Sequence, residues 1–126
     1  MRILSKPVEI LLVEDNEGDV GLIEEVLEEV KIRNNLHVAE DGEEAIYYLH
    51  GEGKFSGSPL PDIILLDLNL PKKDGREVLK EVKEVESLKD IPVVVLTTSQ
   101  ADKDIIGAYE LRANAYVNKP LDLISS

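Results

Sequence analysis

The chain has 126 residues, a net charge of −12 at pH 7 and no cysteine. This length suits a single domain, residues 1–126, with one hydrophobic core. The acidic balance argues against direct binding to nucleic acid or an anionic membrane, and the lack of cysteine excludes disulfides, thiolate metal sites and a cysteine nucleophile. Without a signal peptide or an apolar run long enough to span a bilayer, we expect a cytoplasmic location.

The first part of the chain predicts a strand followed by a helix. Val8–Val13 is a nearly continuous apolar run, typical of a strand buried on both faces of a parallel sheet. Asn16 can cap the helix that follows. Apolar residues at spacings of three and four predict the buried face of this helix: Val20, Ile23, Leu27 and Val30.

The unit then repeats. The short strand Leu36–Ala39 precedes a helix that Asp41 can cap, with Glu44 three residues further on. The predicted buried stripe of this second helix is Ala45, Ile46 and Leu49. The segment Gly51–Pro59 is rich in turn-forming residues and predicts an exposed loop before the next strand.

The second half of the chain predicts three further strands, at residues 63–66, 93–96 and 115–117. One helix runs from Gly75 to about Val85, and another begins at Asp102. Their predicted buried faces are Val78, Leu79, Val82 and Val85 in the first and Ile105, Ile106 and Tyr109 in the second.

Alternating strands and helices predict an α/β fold, with a parallel sheet covered by helices on both faces. After Lys119-Pro120 only six residues remain, which is too few for a fifth helix. We therefore expect the C-terminal helix to be absent or truncated. The uncovered face of the fifth strand would then favour a homodimer or a domain swap.

Polar side chains follow several of these strands. In a parallel sheet the carboxyl ends of the strands share one edge, so we expect Glu14, Asp15, Asp67, Thr97 and Lys119 to converge there. Three neighbouring carboxylates repel one another unless their pKa values rise or a cation binds. Mg²⁺ prefers such oxygen ligands, so the pattern predicts a magnesium site.

The order of the acid pair, Asp67, Thr97, Tyr116 and Lys119-Pro120 resembles the receiver domain of two-component response regulators, over residues 8–120. The resemblance implies a flavodoxin-like five-stranded sheet in the order 2-1-3-4-5. It also implies a phosphorylation-dependent signalling switch that turns over no external metabolite. Within the family, the chain is most similar to small stand-alone regulators paired with phytochrome-type sensor kinases.

The resemblance implies a role for each acid of the cluster. Asp67 would accept a phosphoryl group from a phosphohistidine. Asp15 and Asp67 would bind Mg²⁺ directly, Glu14 directly or through water, and Asn69 through its backbone carbonyl.

The remaining site residues and the partners are implied in the same way. Lys119 and Thr97 would contact the transferred phosphoryl oxygens, and Tyr116 would reorient as Thr97 moves. The phosphodonor would be a sensor histidine kinase or a phosphotransfer protein, the output a contact with a downstream protein, and the phosphorylated state would hydrolyse slowly.

Three alternatives stay open on sequence grounds. A haloacid-dehalogenase-type aspartyl phosphatase also joins Asp, Thr, Lys and an acid pair around Mg²⁺, but its nucleophile comes first and a second acid usually follows two residues later, where this chain has Asn69. A flavin-binding module of the same fold needs a phosphate-binding loop after the first strand, where this chain has acids. The third alternative is an engineered or truncated receiver-fold fragment without native signalling output.

Overall fold

Strands alternate with helices throughout the first half of the molecule. The structure is a computed structural model that describes residues 6–68, 70, 72–97 and 113–118. The described strands are β1 (Val8–Val13), β2 (Asn34–Ala39), β3 (Ile63–Asp67), β4 (Val93–Thr97) and β5 (Ala115–Asn118). The described helices are α1 (Glu17–Glu29), α2 (Gly42–His50) and α3 (Gly75–Glu84), with a short 3-10 helix at Gly53–Phe55.

The five strands form one sheet in the order β2-β1-β3-β4-β5, and each neighbouring pair is parallel. This confirms the predicted flavodoxin-like order. The chain moves outward from β1 to β2 and then returns past β1 to β3, so the direction of winding reverses between β1 and β3. In open α/β sheets, ligands bind at the carboxyl ends of the strands beside such a reversal.

Side chains that alternate along each strand build a core on both faces of the sheet. On one face, Leu11, Val13 and Ile64 pack with the buried sides of α2 and α3. On the other face, Leu12 and Leu96 pack with Ile23 of α1. The predicted buried stripe of α2 and the residues Val78, Leu79 and Val82 of α3 are confirmed as core.

The helix ends agree with the predicted caps, with two differences. Asn16 and Asp41 each accept a hydrogen bond from the backbone N–H three residues on. The side chain of Glu44, however, accepts from the N–H of Glu40, so the bond back to Asp41 is not made. Val30, predicted on the buried face of α1, instead ends the helix and is exposed, because its backbone is already extended.

The segment predicted as an exposed loop, Gly51–Pro59, is anchored to the core. The Tyr48 hydroxyl donates to the Pro59 carbonyl at 3.0 Å, and the rings of Tyr48 and Phe55 meet edge to face at 5.3 Å. Phe55 packs against the main core cluster. Turn composition alone did not indicate this contact, because it depends on a helix that comes before the loop.

The helix predicted from Asp102 and everything after Asn118 lie outside the described residues, so the expected absence of a C-terminal helix stays a prediction. Among the described helices, none combines the length and apolar content needed to cross a membrane.

Candidate functional site

Two neighbouring strands bring acids to the same edge of the sheet. Val13 of β1 is in register with Leu66 of β3, so the residues that follow them, Glu14 and Asp67, lie side by side. The N–H of Glu14 donates to the carbonyl of Ala39 at 2.9 Å, which extends the pairing of β1 with β2 by one residue. The sheet register therefore sets the positions of both backbones.

The predicted cluster of three carboxylates is present. One carboxylate oxygen from each of Glu14, Asp15 and Asp67 lies within 4.8 Å of the others. Glu14 is 1% exposed and Asp67 4% exposed, whereas Asp15 is exposed to solvent. Two buried acids and one exposed acid can hold a hard divalent cation and leave it accessible from one side, so the donor set fits Mg²⁺ or Mn²⁺.

The start of α1 orients Glu14. Its Oε2 accepts a hydrogen bond from the N–H of Asn16 at 3.2 Å, and the side chain of Asn16 accepts from the N–H of Asp19 at 2.9 Å. The backbone N–H groups at a helix N-terminus carry partial positive charge, which favours negative charge there. The same turn therefore caps the helix and holds an acid of the cluster.

The connection from β3 to α3 is closed at its base by a glycine. The N–H of Gly75 donates to the carbonyl of Leu68 at 3.0 Å. A Cβ added to Gly75 would come within 2.4 Å of the Asp67 carbonyl oxygen and 2.6 Å of the Leu68 Cα. Only glycine lets the first turn of α3 lie this close to the backbone of Asp67.

Of the remaining predicted residues, the structure describes Tyr116 and the backbone of Thr97. Thr97 ends β4, one position beyond Leu96, which is in register with Asp67. Tyr116 lies on β5 and is 37% exposed. Asn69 and Lys119 lie outside the described residues, as does the Thr97 side chain, so their predicted roles stay predictions.

Residues 10–125 match the response regulator receiver domain. The chain is a response regulator receiver domain. The match confirms the resemblance to this family. Receiver domains of response regulators are signalling proteins and not metabolic enzymes.

Relatives of this receiver include stand-alone regulators. It is 51% identical over 117 residues to the response regulator Rcp1 of Synechocystis sp., covering 93% of this chain and 80% of Rcp1. It is 47% identical over 116 residues to the probable methanogenesis regulatory protein FilR2 of Methanothrix harundinacea, covering 91% of this chain and 74% of that protein.

Solved structures agree with the sequence matches. The Mn²⁺-bound form of Rcp1 superimposes on the receiver with a TM-score of 0.84 at 52% identity, covering 90% of this chain and 81% of that one. The phosphorylated cyanobacterial phytochrome response regulator RcpA gives 0.85 at 48% identity, covering 94% and 84%. The predicted similarity to phytochrome-linked regulators is confirmed.

Two features of the receiver were missed at the level of sequence. The complete capping box joins Asp74 and Glu77 at the start of α3, and the spacing Asp-x-x-Glu could have indicated it. The second feature is the close approach of Gly42 to Lys73. No local pattern indicates that contact, because the two residues belong to different parts of the fold.

Proposed function

We propose that this receiver takes a phosphoryl group onto Asp67 in a Mg²⁺-dependent reaction and so switches a protein contact. The observation that carries the proposal is the meeting of three carboxylates at the strand edge, with Asp67 almost fully buried among them. The chain's similarity to a Mn²⁺-bound regulator and to a phosphorylated one supports it.

The proposed reaction needs positioning and charge neutralisation more than covalent assistance. A carboxylate oxygen of Asp67 attacks the phosphorus of a phosphohistidine. The bond from phosphorus to the imidazole nitrogen breaks, and its electron pair stays on that nitrogen. A Mg²⁺ held by Asp15, Asp67, Glu14 and the backbone carbonyl of Asn69 would supply the neutralising charge.

Reversal of the switch is proposed to be a slow hydrolysis. Water attacks the phosphorus, the bond from phosphorus to the Asp67 oxygen breaks, and the carboxylate and inorganic phosphate are released. While the group is attached, the new negative charge and acceptor oxygens would attract the Lys119 ammonium and the Thr97 hydroxyl. Tyr116 would reorient with Thr97 and change the surface that a partner contacts.

The proposed donor is a sensor histidine kinase or a phosphotransfer protein. The similarity to proteins named as phytochrome response regulators supports a phytochrome-type kinase as that donor. We propose a single receiver domain over residues 1–126, located in the cytoplasm, whose output is a contact with another protein. Self-association through the β5 face remains part of this proposal.

Phosphorylation by a small donor tests the chemistry directly. The receiver is incubated with acetyl phosphate and Mg²⁺, and the gain of one phosphoryl group is measured by intact mass. We expect labelling in the native chain and in the control Asp90→Asn, which changes an exposed aspartate far along the chain. We expect none in Asp67→Asn or after EDTA, and undiminished labelling of Asp67→Asn would refute the assignment.

The same preparation separates the switch from a phosphatase. A haloacid-dehalogenase-type enzyme would release phosphate continuously from p-nitrophenyl phosphate. We expect at most one phosphoryl group per chain and no steady turnover, because the proposed acyl phosphate on Asp67 hydrolyses slowly.

A further inference from the structure

The first residue of α2 lies directly against the loop that follows Asp67. A Cβ added to Gly42 would stand 1.9 Å from the Lys73 carbonyl oxygen and 2.7 Å from its carbonyl carbon. Both are backbone atoms, so no side-chain rotation relieves the clash. The φ angle of Gly42 lies outside the left-handed region, and the position therefore requires glycine for space, not for backbone conformation.

Ion pairs also hold this loop, one to the start of α2 and one to α3, but less tightly. The Lys72 ammonium lies 3.7 Å from the Asp41 carboxylate, and the Lys73 ammonium lies 3.8 Å from the Glu81 carboxylate of α3. Such long, solvent-exposed ion pairs hold position weakly. The backbone contact of Gly42 with Lys73 is thus the firm support of the loop from the α2 side.

Lys73 is connected to the site through a short loop whose two ends are held. At one end, Asp67 closes β3 and Leu68 is fully buried. At the other end, Gly75 packs against the same two residues. A side chain at position 42 would push the Lys73 carbonyl by about 1 Å, a displacement that can cost up to about a hundredfold in rate when it reaches reacting groups.

We propose that Gly42 is a positioning residue for the reaction at Asp67, because its contact fixes the Lys73 backbone in the connection that leads from Asp67 to Gly75. This inference rests on the proposed function. It assigns to α2, which contributes no carboxylate to the cluster, a part in setting cation affinity and phosphorylation rate.

The test compares Gly42→Ala with Gly21→Ala. Gly21 lies in α1, and a Cβ added there meets nothing within 4 Å. Alanine is the better helix former at both positions, so intrinsic propensity alone favours both variants. Mn²⁺ affinity is measured by electron paramagnetic resonance and the phosphorylation rate with acetyl phosphate, at a temperature where urea titration shows each variant folded.

For Gly42→Ala we expect Mn²⁺ binding and phosphorylation each to weaken by about tenfold or more. For Gly21→Ala we expect both to stay within about twofold of the native chain. A folded Gly42→Ala variant with native affinity and rate overturns the inference, even if its stability is lower. A native chain that neither binds the ion nor accepts phosphate removes the proposed function and the inference together.

If Gly42→Ala does not fold, amide hydrogen exchange in the native chain tests the inference instead. In the native chain, we expect saturating Mg²⁺ to slow amide exchange in residues 41–46 as well as in the loop after Asp67. The variant Asp67→Asn should lose both effects. If Mg²⁺ protects the loop but not residues 41–46, the inference is overturned, because α2 would then not help to hold the loop.

Discussion

A carboxylate oxygen of Glu14 lies within 4.8 Å of one of Asp67, although the two residues are only 1% and 4% exposed. Carboxylate oxygens at this separation can be ligands of one divalent cation. The strand register forces the arrangement, because Val13 and Leu66 are paired immediately before these acids. The fold therefore brings two acids of the proposed cation site together at one edge of the sheet.

Replacing Glu14 by Gln should weaken metal binding. Mn²⁺ affinity should fall by about tenfold or more, because a carboxylate ligand is replaced by an amide. The amide oxygen can still accept from the Asn16 N–H, so the turn should survive.

Electron paramagnetic resonance measures the Mn²⁺ affinity, and urea titration checks that the variant is folded. Glu24→Gln serves as the control, since it removes an exposed acid from α1. A folded Glu14→Gln variant with native Mn²⁺ affinity would show that Glu14 does not take part in cation binding.

Mg²⁺ should stabilise the folded chain by mass action. At a free concentration of a hundred times its Kd, the gain is about 2.7 kcal/mol, and Asp67→Asn should lose most of it. The comparison must be made at matched ionic strength, because any salt screens repulsion in a chain of net charge −12. Urea midpoints that respond equally to Mg²⁺ and to the matched sodium salt would argue against a specific site.

Asp74 should contribute to stability through the capping box of α3. Its carboxylate accepts from the Arg76 N–H at 2.7 Å, and Glu77 accepts from the Asp74 N–H at 3.1 Å. Asp74→Ala should therefore lower the free energy of unfolding by about 1 to 2 kcal/mol. The exposed Asp90→Ala is the control in urea titration, and equal midpoints for the two variants would contradict this role.

Glu9 should make stability depend on pH in the acid range. Hydrogen bonds from Asn35 at 3.0 Å and then from His37 at 2.8 Å hold the pKa of its carboxyl below the usual 4.5. A lowered pKa in the folded state favours the ionised form, so this contribution is complete above pH 4.5. It is lost as the pH falls through the lowered pKa.

Comparison of the native chain with Glu9→Gln isolates this effect. The difference in free energy of unfolding should shrink as the pH falls below 4.5. A difference that grows as the pH falls would contradict a lowered pKa of Glu9 in the folded state.

Local patterns accounted for most of the architecture. The run Val8–Val13 is strand β1 at the predicted residues, and the side chains of Asn16 and Asp41 cap the helices as expected. β2 begins two residues earlier than predicted, at Asn34, because pairing with Val8 extends it into a polar stretch. Ends of this kind are decided by the neighbouring strand and not by the residues themselves.

The acids of the site were predictable for a reason that is also local. Glu14 and Asp67 each follow an apolar run, and in a parallel sheet all such positions meet at one edge. Their degree of burial was not predictable. It depends on how the rest of the chain packs against this edge, which the alternation of apolar and polar residues does not encode.

Apolar periodicity and capping residues belong to single segments, so reading along the chain was enough to order the strands and helices and to indicate which acids share an edge. The distances between those carboxylates and the close contact of Gly42 with the Lys73 backbone could be learned only from the tertiary structure. Both involve segments that are distant along the chain. The packing of α2 against the sheet and the pairing of the strands bring these segments to within a few ångströms of one another.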